Sequence, residues 1–119
     1  MKTGMIVLVT LFFLFVGTGD LYAYTYTYNN RTGYLIRVTV KFYDDADKTG
    51  QIQANESLAF STLFLLKSWV VEVILDNRWQ EVLNLTCDML PGNHTFSIYV
   101  TEVKDLNGTV SRSWYAINQ

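Results

Sequence analysis

Beyond Ala23 the chain alternates apolar and polar side chains with a period of two, and clusters of turn-forming residues interrupt the alternation. Period two places successive side chains on opposite faces of a strand. Turn signals recurring roughly every 8–12 residues mark an all-β sandwich or barrel. The segments read as follows. Tyr24 to Tyr28 alternates Tyr and Thr strictly, which puts Tyr24, Tyr26 and Tyr28 on one face. In Tyr34 to Tyr43, Ile36, Val38, Val40 and Phe42 point one way and Arg37, Thr39 and Lys41 the other. Gln51 to Ala54 is short and mixed. Leu58 to Leu65 reads as a strand with Leu58, Phe60 and Phe64 inward, although its length and lack of Gly or Pro also allow a short helical turn. Ser68 to Asp76 is the densest β-branched run outside the N-terminus, and Trp79 to Cys87 follows it. His94 to Val103 directs Phe96, Ile98 and Val100 to one side, and a last strand follows Asn107-Gly108.

Two hairpin registers can be argued from this pattern. A two-residue turn at Asp76-Asn77 would set Glu72 opposite Glu81, an unfavourable like-charge pair. A three-residue loop, Asp76 to Arg78, instead pairs Leu75 with Trp79, Val71 with Leu83 and Trp69 with Leu85. Register follows the hydrophobic pattern, so the longer loop is expected. Trp69, Val71, Val73, Leu75, Trp79, Leu83 and Leu85 then form core, Cys87 continues their face, and Asn84 faces out. Asn107-Gly108 is the strongest two-residue turn signal, because both residues tolerate positive φ. It pairs Val100 with Tyr115 and Ile98 with Ile117, and sets Trp114 opposite Thr101 on the face that carries Tyr99.

The first 23 residues read differently. Lys2 precedes a 12-residue apolar run, Met5 to Val16, and Leu21-Tyr22-Ala23 offers a small residue for cleavage. That order is a secretory signal peptide; cleavage after Gly19 is the alternative. A membrane span needs about 20 apolar residues, and Asp20 interrupts the run too early. The expected organisation is a leader over 1–23 and a single β-sandwich domain over 24–119, secreted or periplasmic, with no membrane span in the mature part. Loss of Lys2 and Asp20 leaves the net charge at −2, which argues against nucleic-acid binding. Cys87 is the only cysteine, so an internal disulfide is impossible and the core alone must hold the domain. It reads as a small buried apolar residue, with an intermolecular bond as the alternative.

Catalytic chemistry finds little support. His94 is the only histidine, and no nucleophile–base–acid set stands out. One Cys and one His cannot build a zinc site. The Asp44-Asp45-Ala46-Asp47 loop lacks the spacing of a calcium loop and reads as solvated. No phosphate loop precedes a helix. No cofactor, metal or catalytic residue is expected. Five Asn-x-Ser/Thr sequons, at Asn30, Asn55, Asn84, Asn93 and Asn107, exceed the about 1.3 that eight asparagines and 19 Ser or Thr in 119 residues would give by chance. In a glycosylating host they are candidate acceptors; turn-seeking Asn followed by strand-seeking Thr also generates such triplets.

The run Leu90-Pro91-Gly92-Asn93-His94-Thr95-Phe96-Ser97-Ile98-Tyr99-Val100 resembles the corner and late strand of immunoglobulin- or fibronectin-III-type domains. The resemblance covers about a tenth of the chain and implies fold only; the cysteine pair of antibody domains is missing. The expected fold is an antiparallel two-sheet β-sandwich of seven or eight strands, with a small barrel as second choice. The expected function is non-catalytic: an exported recognition, adhesion-type or surface-associated module that meets an extracytoplasmic protein, with Tyr24 to Tyr28 as an edge strand. The alternative is a small-ligand or carbohydrate-binding domain. It would use exposed Tyr99 and Trp114 with Tyr24, Tyr26 and Tyr28.

Overall fold

The computed structural model describes Tyr24 to Gln119. The expected leader lies outside the described residues. Eight strands follow one another: β1 Tyr24–Asn30, β2 Ile36–Phe42, β3 Lys48–Ile52, β4 Ser57–Thr62, β5 Leu66–Leu75, β6 Arg78–Leu90, β7 His94–Lys104 and β8 Val110–Asn118. They form two four-stranded sheets, ordered β4-β1-β7-β8 and β3-β2-β5-β6. The result is an all-β sandwich and not a closed barrel. Strand positions follow the alternation, with local shifts. Lys48, Thr49 and Gly50 belong to β3 because they pair with Val40, Thr39 and Val38. The acidic loop is therefore shorter than its composition implied.

One pairing departs from the antiparallel expectation. β1 runs antiparallel to β4 but parallel to β7, with Tyr28 opposite Phe96 and Asn30 opposite Ile98. Parallel neighbours need a long crossover, and here the whole second sheet lies within that crossover. β1 is thus an interior strand, not the edge its N-terminal position suggested.

The two inner faces meet in one core. Tyr26, Tyr28, Phe60, Phe96 and Ile98 come from the first sheet; Ile36, Val38, Val40, Phe42, Ile52, Leu66, Trp69 and Val71 come from the second. Each large apolar side chain buried this way contributes about 1.5–3 kcal/mol. Trp69 sits between Tyr28 and Phe96, its ring centroid 5.0 and 5.1 Å from theirs. Along one long side the sheets close tightly at Gly50 on β3. A Cβ there would meet the tip of the Leu58 side chain of β4, which would have to swing aside.

Both hairpins correct the sequence-based registers. Asp76 and Asn77 have φ of 54° and 63°, the two left-handed positions of a type I′ turn. Leu75 pairs with Arg78, Ile74 with Trp79 and Glu72 with Glu81. Beyond Glu72 the register slips, so that Val71 meets Leu83 and Trp69 meets Leu85. Val82 is the extra residue of this β-bulge, which satisfies both the turn and the apolar pattern. The like-charge pair is relieved from the neighbouring strand, where Arg37 Nε lies 2.9 Å from Glu72 Oε1. Trp79 therefore faces outward, not into the core, with the Arg37 guanidinium 4.4 Å above its ring. Val71 and Val73 are buried as expected and Asn84 is exposed, whereas Leu85 is exposed at the open long side.

At the other hairpin the loop holds three residues. The Gly108 N–H donates to the Asp105 carbonyl and the Asp105 N–H to the Thr109 carbonyl. Only Gly108 has positive φ, at 83°. The Asp105 carboxylate accepts from the Asn107 and Thr109 N–H groups, both at 2.9 Å. That carboxylate selects a type I turn with a glycine bulge over a two-residue turn. Pairing shifts by one, to Val100 with Trp114, Tyr99 with Tyr115 and Ile98 with Ala116.

Asn30 plugs the end of the sandwich where β1 turns into β2. It is fully buried. Its Nδ2 lies within hydrogen-bond distance of the carbonyls of Tyr34, Ile52 and Gln53, at 2.6, 3.0 and 3.1 Å. Its Oδ1 accepts from the Thr32 N–H and hydroxyl at 3.0 and 2.6 Å. Asn30→Ala strands these groups without water and is expected to lower the unfolding free energy by about 3 kcal/mol in chemical denaturation. Asn30→Asp should be comparably damaging, because it turns an acceptor toward three carbonyls. Asn77→Gly should raise stability by about 0.5 kcal/mol in the same assay, since it relieves a left-handed position of the short turn.

Candidate functional site

The residues singled out from the sequence do not gather into one surface. Tyr26 and Tyr28 have 0% exposure, and Tyr24 is half-buried against the core. The tyrosine ladder is an interior feature of a central strand. The Tyr26 hydroxyl donates to the Leu90 carbonyl at 2.6 Å and accepts from the Leu66 N–H at 3.3 Å. It thereby ties β1 to the ends of β5 and β6 across the sandwich. Among the described residues the Tyr28 hydroxyl finds no hydrogen-bond partner. Burial pushes both phenols above the ordinary value of 10.0.

The one-residue shift at β7–β8 separates the other pair. Trp114 lies opposite Val100 on the inward side and packs on Tyr34, ring centroids 5.5 Å apart. Tyr99 faces outward and stacks on Tyr115 at 5.3 Å with an 18° interplanar angle. Tyr99 and Trp114 therefore sit on opposite faces. Tyr115 was overlooked because the two-residue turn assigned it to the inner side.

A larger feature emerges at this end. From Thr101 to Ser113 every residue is exposed. Here β7 and β8 continue past the last pairing with β1, Asn30 with Ile98, as a two-stranded arm. Both edges of the arm carry unpaired backbone groups. Leu106 is fully exposed at the tip, and Val103 (60%) and Tyr115 (43%) line its outer side. A free two-stranded ribbon is marginally stable, and this one is braced at its root. The Tyr34 hydroxyl donates to Glu102 Oε2 at 2.5 Å, and Arg112 Nε donates to the same oxygen at 2.8 Å and to the Tyr34 hydroxyl at 2.9 Å. The Tyr34 hydroxyl and the Arg112 guanidinium hold the Glu102 carboxyl below its usual range.

His94 stacks on Tyr26 with a 7° interplanar angle, and its Nε2 lies 2.7 Å from the Pro91 carbonyl. Among the described residues, no group of three or more His, Cys, Asp or Glu is placed to hold a metal ion, and no helix is long and apolar enough to cross a membrane. Of the sequon asparagines, Asn55, Asn84, Asn93 and Asn107 are exposed. Asn30 is not, and its amide is committed to backbone carbonyls of the fold, so a glycan there and this fold exclude one another.

No family model matches the chain, and no curated protein matches it. Among solved structures it is similar to the NMR structure of a protein from Eubacterium rectale, with a TM-score of 0.50 and 16% identity over 81% of this chain and 91% of that one. At that identity the likeness concerns the fold alone.

The tyrosine ladder yields a paired expectation. Tyr28→Phe removes a buried hydroxyl that bonds to nothing and should stabilise by about 1 kcal/mol, whereas Tyr26→Phe breaks two bonds and should cost about 1–2 kcal/mol. Native phenol pKa values raised above the unfolded value give stability that is complete below pH 10 and is lost as pH rises further. Denaturation midpoints measured from pH 7 to 11 should fall at the alkaline end, and less steeply in Tyr28→Phe.

Proposed function

We propose that this protein is an exported, non-catalytic recognition module that engages a partner protein through the β7–β8 arm. The observation that carries this reading is a projecting ribbon with open edges, an apolar tip at Leu106 and a rigid root at Tyr34, Glu102 and Arg112. Unpaired strand edges are templates for an added strand. Lys104, Asp105, Glu102 and Arg112 place charges along the arm, a common guard against indiscriminate edge pairing. The partner is thus an extracytoplasmic protein that offers an extended segment. The N-terminal leader pattern and the mildly acidic net charge of −2 agree with export and with a partner other than nucleic acid.

A second reading, glycan binding, is favoured by one observation. The Tyr99–Tyr115 pair presents two nearly coplanar rings on the outer face, and flat aromatic surfaces suit sugar rings. Trp114, turned inward, has no part in it. Arrays of immobilised extracellular proteins and glycans separate the two. For the arm, Val103→Asp combined with Leu106→Asp should weaken protein binding about tenfold or more, with an unchanged melting temperature. Loss of a glycan signal in Tyr115→Ala, with the arm variant unaffected, would transfer the assignment to the second reading. Binding that survives all of these substitutions overturns both.

A further inference from the structure

Strand β7 outruns its neighbour on one side. Its last contact with β1 is at Ile98, whose carbonyl accepts from the Arg31 N–H. Backbone groups alternate between the two edges of a strand, so those of Val100, Glu102 and Lys104 point the same way as those of Ile98. Among the described residues no strand pairs with them there. On its other edge β7 is paired with β8 as far as Lys104. The vacant edge is thus five residues long, Val100 to Lys104, and begins where β1 ends. Such an edge accepts an added strand, and the side chains along it decide which strand fits.

The edge is complementary to itself. An antiparallel copy of β7 must set residues with free backbone groups opposite one another, which leaves few registers. Centring on Glu102 sets two glutamates face to face, and centring on Lys104 sets two lysines; like charges directly opposite are unfavourable. Centring on Thr101 places Lys104 opposite Ile98, whose edge Arg31 already occupies. Centring on Val103 places Glu102 opposite Lys104 twice and Val103 opposite its own copy. Glu102 uses one oxygen, Oε2, for both Tyr34 and Arg112, and among the described residues Oε1 has no partner. Among the same residues Lys104 forms no ion pair, and Val103 is 60% exposed. The edge of β8 has no such match, because Arg112 is its only charge. We propose that the arm pairs with the arm of a second copy of this chain, β7 against β7 about a twofold axis at Val103. The product is a four-stranded ribbon ordered β8-β7-β7-β8, an isologous contact. This inference rests on the reading of the arm as a pairing surface and names its partner. The charges that guard the arm against indiscriminate pairing also select its own copy. The contact is small beside the roughly 1,000 Å² of lasting complexes, so the dimer forms and dissociates with concentration.

In sedimentation equilibrium the protein should pass from monomer to dimer between about 10 µM and 1 mM. Lys104→Glu should weaken the dimer about tenfold or more at an unchanged melting temperature. Glu102→Lys should weaken it likewise. An equimolar mixture of the two variants should dimerise again, because each carries one sign at both positions and the two signs are opposite. If Glu102→Lys loosens the root and fails to fold, cross-linking decides. In a Cys87→Ala background, Val103→Cys should oxidise to a covalent dimer, since such opposite residues stand about 4.5 Å apart at Cα, within disulfide reach. Thr101→Cys should not, because its copy lies four positions further along, about 13 Å away. A protein that stays monomeric at about 1 mM, a dimer that Lys104→Glu leaves intact, or cross-linking as ready with Thr101→Cys as with Val103→Cys each overturns the proposal. The reading of the arm survives that failure if an arrayed extracellular protein still binds and Val103→Asp with Leu106→Asp removes the binding; if nothing binds, both fall.

Discussion

Two sheets without a covalent tie must be held by what lies between them. With a single cysteine in the chain, the contact between Trp69 and its partners Tyr28 and Phe96 fills the place that a cross-link takes in many exported sandwiches. Three rings from three strands meet within 5.0–5.2 Å of one another. Around that contact the apolar residues of β2 and β5 follow by simple alternation. Tyr26 adds a polar tie across the sheets, and Asn30 closes the end. These two polar groups do not oppose the hydrophobic core. They satisfy the backbone atoms that would otherwise make its margins costly.

Strand positions were legible because one buried face imposes period two; β2 and β5 read correctly almost residue by residue. The hairpins were misjudged in opposite senses for one reason. Matching side chains across a pair ignores what the backbone of the turn prefers. At Asp76-Asn77 two residues that tolerate positive φ favoured the short turn, and the bulge at Val82 absorbed the mismatch with the apolar pattern. At Asn107-Gly108 the upstream Asp105 carboxylate capped a longer turn. Its signal, Asp three residues before Gly, was present in the sequence. The interior place of β1 had no local signal at all. A tyrosine ladder suits a wet face or a buried one, and only the arrival of β7 decides between them.

The two long sides of the sandwich make different use of the same architecture. At Gly50 the Leu58 side chain of β4 lies directly over the backbone of β3. Between β6 and β8 the edges stand apart, Leu85 remains exposed and Trp69 and Phe96 line the gap. The open side borders strand β8, which also carries Tyr115 of the outward tyrosine pair.

The parallel pairing of β1 with β7 governs when the molecule can be completed. Asn29 and Ser97, neighbours in the sheet, are 68 positions apart in the chain. As the polypeptide leaves the ribosome, β2, β3, β5 and β6 can assemble from local hairpins and short crossovers. β1, though made first, has only β4 beside it until the final quarter of the chain appears. Contacts between such distant segments form late and slowly. Strand β1 is thus the last to be locked on both sides. A chain built this way stays threadable through most of its synthesis and becomes rigid only when its C-terminal hairpin arrives.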